Sequence, residues 1–246
     1  EQAIVGAKPD FLFHLAAQPI VGASYDDPIE TWSTNVMGTI NVLEALRKIQ
    51  NNCSAVIITS DKCYDNVEWE WGYRENDALG GPDPYSASKG AAELAIRSYV
   101  KSYFSGENNP VRIASARAGN VIGGGDWAKN RLITDIMVSV AQGKKVSIRN
   151  PNATRPWQHV LEPLGGYLIL AEKLWTNASL EGAYNFGPLT QDTASVREII
   201  EMARKAYGDC SVYYNEENQG PHEAGLLALD ISKTRQMLGF QPRLTL

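Results

Sequence analysis

The 246-residue sequence predicts an α/β protein: a doubly wound parallel sheet carrying a smaller mixed α/β lobe. Two observations carry this. Over residues 10–118, apolar runs too continuous for half-exposed strands alternate with long amphipathic segments, in the order strand, helix, strand, helix, strand. Beyond residue 119 the texture changes to shorter elements separated by Gly-, Pro- and Asn-rich loops.

Taken in order, DFLFHLAA (10–17) is apolar on both faces, as expected of a strand inside a parallel sheet. Residues 26–50 read as a helix: Asp27 suits the N-cap and Pro28 the first turn, and Val36, Ile40, Leu43 and Leu46 share an apolar face. AVIITS (55–60) is a second buried strand, residues 83–104 a long helix opened by Asp-Pro, and VRIASARA (111–118) a third strand. The glycine-rich loop GNVIGGGDW then leads to a helix over 130–142, a short strand over 145–149 and a Pro/Asn/Arg loop. A helix over 160–176, a strand over 183–187 and helices over 195–207 and 232–238 complete the second part. The boundary between the two parts falls near residue 119.

Charge and cysteine usage narrow the function classes. The 23 basic and 28 acidic residues are scattered without a basic stripe, so neither nucleic acid nor an anionic membrane surface is an expected partner. No apolar run approaches the roughly 18 residues of a membrane span, and the first ten residues lack the basic start and apolar core of a signal peptide. Cys53, Cys63 and Cys210 are odd in number and have no CxxC spacing. A disulfide framework or structural metal site is therefore not expected, and a reducing, cytoplasmic setting is.

In a doubly wound sheet, ligands bind beyond the carboxyl ends of the strands. Three such ends carry polar clusters: HLAAQ (14–18), TSDKCY (59–64) and ARAGN (116–120). Tyr85 and Lys89, four residues apart, share one face of the helix after the second strand. A free tyrosine has a pKa near 10 and is a poor base, but a cation held close lowers it by roughly 1–3 units by favouring the phenolate. Such a tyrosine could take the proton of a sugar hydroxyl as hydride leaves the same carbon. Y-x-x-x-K alone is a weak signal, equally at home on a plain surface helix. A Ser/Thr/Asp cluster at the preceding strand end strengthens it.

The order HLAAQ, NVMGT (35–39), TSDKCY, PYSASK (84–89) and ARAGNVIGGGDW resembles the extended short-chain dehydrogenase/reductase superfamily, whose sheet is of the Rossmann type. More narrowly, SDKCYDNVEWEWGYREND (60–77) and the GGGDW loop resemble the CDP-glucose 4,6-dehydratase family, and the likeness runs through essentially the whole chain. The resemblance implies an NAD-dependent lyase acting on CDP-glucose. NAD would take hydride from carbon 4 as Tyr85 removes the hydroxyl proton; water would then leave across carbons 5 and 6, and hydride would return to carbon 6. It further implies that Ser60 bonds the carbon 4 hydroxyl and stabilises the developing oxyanion, and that Lys89 perturbs Tyr85 and holds the nicotinamide ribose. Asp61 would donate a proton to the departing hydroxyl, provided its surroundings keep it protonated. Lys62 would be the base at carbon 5 if burial or a neighbouring charge lowers its pKa from about 10.4; the alternative is a loop lysine paired with Asp61. Related dTDP-glucose dehydratases carry glutamate at that position.

By the same resemblance Ala16, Ala17, Thr59, Tyr85 and Lys89 lie beside NAD, and Asn120 and Arg155 bind the sugar-nucleotide diphosphate, for which a bidentate arginine is apt. His222, and with it Glu223, is expected in the same substrate lobe. On this reading residues 1–119 form a partial NAD-binding domain with the catalytic residues, and 120–246 mainly bind the nucleotide sugar. Bland readings are expected elsewhere. His14 is a satisfied core imidazole, Asn35 a structural hydrogen-bonder and Cys63 a packing residue. Gly123, Gly124 and Gly125 let a substrate loop approach the nucleotide. Trp69 and Trp71 either brace the active-site loop or form a subunit contact.

No G-x-G-x-x-G fingerprint for the cofactor pyrophosphate follows any strand, and the chain does not begin with Met. The expectation is an internal piece of a longer protein, missing roughly 60–70 residues of the sheet's first half. Its first strand would show a bare apolar edge, and it would bind NAD weakly or not at all; tight binding in calorimetry would contradict this. The superfamily implies a homodimer or higher homo-oligomer through the helices at 28–49 and 84–104. Two rivals remain open: another nucleotide-sugar dehydratase or epimerase, and a sugar-nucleotide-binding module without turnover.

Overall fold

The computed structural model describes residues 1–106, 108–128, 131–207, 212–214, 224–244 and 246. Helix α1 (Gln2–Ala7) leads to strand β1 (Phe11–His14), which gives way to α2 (Val21–Asp26). The helix expected over 26–50 is instead α3 (Pro28–Trp32) and α4 (Gly38–Leu46), joined by a π-helical segment, Ser33–Met37. β2 (Cys53–Ile58), α5 (Pro84–Tyr99) and β3 (Val111–Ala118) follow. The second part holds β4 (Val121–Ile122), α6 (Leu132–Ala141), β5 (Val146–Ile148), β6 (Thr154–Arg155), β7 (Gln158–His159) and α7 (Leu161–Thr176). It ends with β8 (Gly182–Phe186), β9 (Ala194–Ser195), α8 (Val196–Tyr207), β10 (Val212–Tyr214) and α9 (Ser232–Leu238).

The expected caps form. Asp27 accepts from the Glu30 amide at 2.9 Å, with Pro28 in the first turn where no amide is needed. Asp83 does the same for α5, accepting from the Ser86 amide at 2.9 Å and the Ser86 hydroxyl at 2.6 Å. The catalytic helix expected from the sequence therefore starts at a fixed place, two residues before Tyr85.

The main sheet is parallel, in the order β1-β2-β3-β8. β2 lies between β1 and β3, and β8 from the second part joins the far side of β3, so part of the second half packs into the first. Alternation along the buried strands feeds two cores. Val56, Ala114 and Ala116 face α7, with Tyr167, Leu170, Leu174 and Phe186 around them. Ala55, Ile57 and Ile113 face the other way, against Leu43, Leu46 and Ile96 of α4 and α5. The register places His14 beside Ile57 and Ile58 beside Ala116. Because the strands run parallel, the 14–18, 59–64 and 116–120 segments all leave from the same edge of the sheet. Among the described residues no strand flanks the outer side of β1, where Phe11 is 47% exposed.

Candidate active site

The site starts at the end of β2. Thr59 is held to β3 by its amide, which donates to the Ala116 carbonyl at 2.9 Å. Ser60, in extended conformation, then caps a single 3₁₀ turn, Asp61–Cys63, accepting from the Lys62 amide at 3.2 Å. Its hydroxyl donates to Asp61 Oδ1 at 3.1 Å. Asp61 is only 4% exposed, and its Oδ2 has no hydrogen-bond partner among the described residues. Burial pushes the Asp61 carboxyl up, against the opposing pull of Lys62, Ser60 and Arg155. This is the environment a proton-donating aspartate requires. Lys62, half-buried beside it, is one of the charges acting on Asp61.

Helix α5 brings Tyr85 and Lys89 to this turn. The Tyr85 amide donates to Ser24 Oγ of α2 at 3.2 Å, and the phenol is hydrogen-bonded to Ser60. Lys89 Nζ lies 6.0 Å from the centre of the Tyr85 ring. The sequence argument expects Lys89 to lower the tyrosine pKa. Here burial wins: Tyr85 is pushed up to about 12 by desolvation, with the Ser60 hydrogen bond opposing. Lys89 is itself pushed down to about 8 by desolvation. Both groups sit in a low-dielectric pocket that penalises the charged form of each.

The 14–18 segment completes the cleft. Asn35 clamps Gln18, accepting from its amide at 2.8 Å and donating to its carbonyl at 3.1 Å, and donates to Ser88 of α5 at 2.9 Å. It is a structural hydrogen-bonder, as expected. His14 is not the satisfied imidazole expected: Nε2 is buried without a partner among the described residues, and burial, aided by the Lys89 charge, holds the ring pKa down. It stands at the carboxyl end of β1, whose outer side no described strand flanks. Ala16 and Ala17 are small and accessible. Thr59 spends its hydroxyl on Glu93 Oε1 at 2.5 Å.

Among the described residues Lys89 makes no hydrogen bond. A buried ammonium with three free donors, an orphaned imidazole nitrogen and two alanines side by side fit a hydroxyl-rich cofactor such as a nicotinamide ribose.

The second part closes over this edge. Arg155 is 3% exposed and donates to the Thr154 carbonyl at 2.9 Å and the Ala224 carbonyl at 2.5 Å, with its charge acting on Asp61. Asn120 lies half-buried at the same sheet edge, its carbonyl accepting from the Gln158 amide at 2.9 Å. His222, Glu223 and Cys210 lie outside the described residues. Gly123 is needed for packing, since a Cβ there would come within 2.6 Å of Val160, a protein contact and not a nucleotide one. Gly124 and Gly125 border open space. Trp69 braces the loop through Tyr73, ring centres 5.3 Å apart, and Tyr73 stacks on Tyr64 at 5.1 Å; Trp71 is 66% exposed. Burial raises the Cys63 thiol pKa well above its usual value, in keeping with a packing role.

Sequence reasoning missed Arg131. From the foot of α6 it reaches across the cleft to the Pro19 carbonyl at 3.4 Å, and its charge acts on Tyr85. In the sequence it is one arginine in a loop; only the folding of the GGGDW segment over the 14–20 segment brings it there.

A parallel sheet with Ser60, Tyr85 and Lys89 gathered at its carboxyl edge defines a class. A family model described as GDP-mannose 4,6 dehydratase matches residues 1–246, and the chain belongs to that family, within the extended short-chain dehydrogenase/reductases. It is 51% identical over 245 residues to the CDP-glucose 4,6-dehydratase of Salmonella typhimurium, covering 98% of this chain and 68% of that protein. Over 110 residues it is 33% identical to the CDP-paratose 2-epimerase of Salmonella typhi, covering 39% of this chain and 32% of that one.

Two solved structures share the fold. A UDP-glucuronic acid 4-epimerase from Bacillus cereus, in complex with UDP-glucuronic acid and NAD, aligns with a TM-score of 0.84 at 21% identity over 97% of this chain and 72% of that one. A dTDP-glucose 4,6-dehydratase from Streptomyces venezuelae with NAD bound gives 0.81 at 20% identity over 99% and 71%. The chain is thus a nucleotide-sugar 4,6-dehydratase homologue, and among its described residues no helix is long and apolar enough to cross a membrane.

Proposed function

We propose that this chain carries the catalytic and substrate-binding parts of an NAD-dependent CDP-glucose 4,6-dehydratase. The observation that carries the reading is the turn at the end of β2. It presents a hydroxyl bonded to a buried tyrosine and, one residue on, a carboxyl that burial holds toward its protonated form. The 51% identity to a CDP-glucose 4,6-dehydratase supports the choice of base and sugar.

Ala16, Ala17, Thr59, Tyr85 and Lys89 would hold NAD, which would supply a hydride acceptor for carbon 4 and, once reduced, a hydride donor for carbon 6. Tyr85 takes the carbon 4 hydroxyl proton, assisted by Ser60, which donates to the oxygen as negative charge develops there. Burial pushes Tyr85 up to about 12, with the Ser60 hydrogen bond and the Arg131 charge opposing, and the Lys89 ammonium 6.0 Å from its ring adds to that opposition on this reading. The resulting ketone acidifies the carbon 5 proton. Lys62 removes that proton, Asp61 gives its own to the carbon 6 hydroxyl, which leaves as water, and as hydride returns to carbon 6 the protonated Lys62 gives a proton back to carbon 5. Arg155 and Asn120 hold the diphosphate side of the substrate, and His222 is assigned to the same substrate lobe by the sequence resemblance alone. Residues 1–119 thus serve the cofactor and the chemistry, and 120–246 mainly the nucleotide sugar.

A homodimer fits the same reading. Ile29, Trp32 and Met37 leave an apolar face exposed on the α3–α4 segment, and Leu94 and Tyr103 do so on the α5 side. The function is tested by incubating the full-length enzyme with the CDP, dTDP, UDP and GDP forms of glucose. A 4-keto-6-deoxy product from CDP-glucose alone supports the reading; turnover of another nucleotide instead refutes it.

A further inference from the structure

Helix α5 carries a third buried polar residue in line with the first two. Tyr85, Lys89 and Glu93 are spaced by four, so Glu93 lies about 12 Å below Tyr85 along the axis. It is 3% exposed and belongs to none of the proposed chemical steps. Its carboxylate accepts three hydrogen bonds, all from outside its own helix. Thr59 donates to Oε1 at 2.5 Å, and Ser115 and Arg117 donate to Oε2 at 2.8 Å each. Burial alone would raise the Glu93 pKa; Arg117 and the hydroxyl donors reverse that and hold it below the usual carboxylate value.

Arg117, also 3% exposed, extends the network forward. Its NH1 donates to the Tyr64 hydroxyl at 2.9 Å and the Glu75 carbonyl at 3.1 Å, and Tyr64 donates to Asn185 of β8 at 2.7 Å. Thr59 and Tyr64 are the residues on either side of the Ser60–Cys63 turn. One buried ion pair therefore grips both ends of the segment that presents Ser60, Asp61 and Lys62, and does so from the helix that presents Tyr85 and Lys89.

We propose that Glu93, paired with Arg117, is a positioning residue that fixes the Ser60–Asp61–Lys62 turn against the Tyr85–Lys89 face of α5. The physical case is directional. A buried ion pair contributes little net stability compared with apolar side chains of the same volume, because desolvation offsets the attraction. What apolar side chains cannot supply is a set of hydrogen bonds that admits one placement of Thr59 and Tyr64. Catalysis depends on such placement, since an error of about 1 Å in a reacting group costs on the order of 10²-fold in rate.

The inference rests on the catalytic assignment above, and its test keeps the two apart. In the full-length enzyme with NAD and CDP-glucose, Thr59→Val and Glu93→Gln are expected to lower kcat by 10- to 100-fold, with the KM for CDP-glucose changed less than threefold. Thr59→Ser, which restores the donor, recovers most of the lost kcat. Tyr64→Phe, which releases only the far end of the turn, lowers kcat several-fold with an unchanged melting temperature. Should Glu93→Gln fail to fold, the Thr59→Val and Thr59→Ser pair decides. Thr59→Val and Tyr64→Phe with kcat within twofold of wild type, or with losses confined to KM, would overturn the proposal. Tyr85→Phe, run alongside, tests the catalytic assignment alone, and the clamp stands or falls on the Thr59 pair whichever way Tyr85→Phe behaves.

Discussion

Two charges one turn apart on helix α5 are buried in opposite ways. At Glu93 the carboxylate meets an arginine and two hydroxyls and stays ionised. At Lys89, one turn nearer the cleft, the ammonium meets no hydrogen-bond acceptor among the described residues and is pushed down to about 8. Asp61 Oδ2 and His14 Nε2, around the same cleft, are also buried without partners. The contrast separates architecture from function. At the cleft, where several such groups gather, the incompleteness fits a ligand that brings the missing partners. Asn51 Oδ1, Gln158 Oε1 and Arg117 Nε are also without partners among the described residues, so one orphaned atom alone marks no site.

The comparison is broken most severely by removing the group on which the cleft's chemistry turns. Tyr85→Phe is expected to cut kcat by about 10³-fold, within the span of a lost general base, while urea unfolding stays near wild type. Retained activity would place the proton transfer elsewhere. Leu170→Ala, in the core beneath the sheet, is the converse: about 2–5 kcal/mol of stability lost from a fully buried side chain, with kcat per folded molecule unchanged.

Lys89→Met sharpens the comparison further, because activity and stability should move in opposite directions. A folded-state pKa of about 8 against a reference of 10.5 means that protonated Lys89 costs the fold about 3 kcal/mol. The sign follows from linkage: between pH 8 and 10.5 the unfolded chain binds the extra proton, so this group's contribution to stability rises with pH across that window. Lys89→Met should therefore be inactive yet more stable at pH 7, with the gain shrinking toward pH 10.5. Urea titrations at pH 7 and pH 10 check it; an equal or smaller midpoint at pH 7 would contradict the account. The same group predicts the smallest effect, a fall in wild-type kcat/KM above about pH 8 as Lys89 loses the charge that supports the Tyr85 phenolate.

Much of this was legible in the sequence because it was local. Apolar runs marked the buried strands, Asp27-Pro28 and Asp83-Pro84 marked helix starts that the structure caps, and spacing put Tyr85 and Lys89 on one face. What was illegible depends on distant neighbours. The π-helical break at Ser33–Met37 follows from Asn35 reaching Gln18 and Ser88, contacts 17 and 53 residues away. The direction of the Tyr85 shift depended on burial outweighing a charge, and spacing carries no measure of burial. Arg131 and the Glu93–Arg117 grip on Thr59 and Tyr64 are tertiary throughout. His14 reads as satisfied because residues 10–17 are apolar on both faces; no described strand flanks the outer side of β1, the bare edge that the missing fingerprint predicts.

The most direct test of the central claim follows one hydrogen. CDP-glucose deuterated at carbon 4 is turned over by the full-length enzyme in ordinary water, and the product is examined by NMR. The account predicts deuterium in the carbon 6 methyl group, a solvent-derived proton at carbon 5 and a ketone at carbon 4. Deuterium retained at carbon 4 of an epimerised sugar, or lost to solvent, would contradict it.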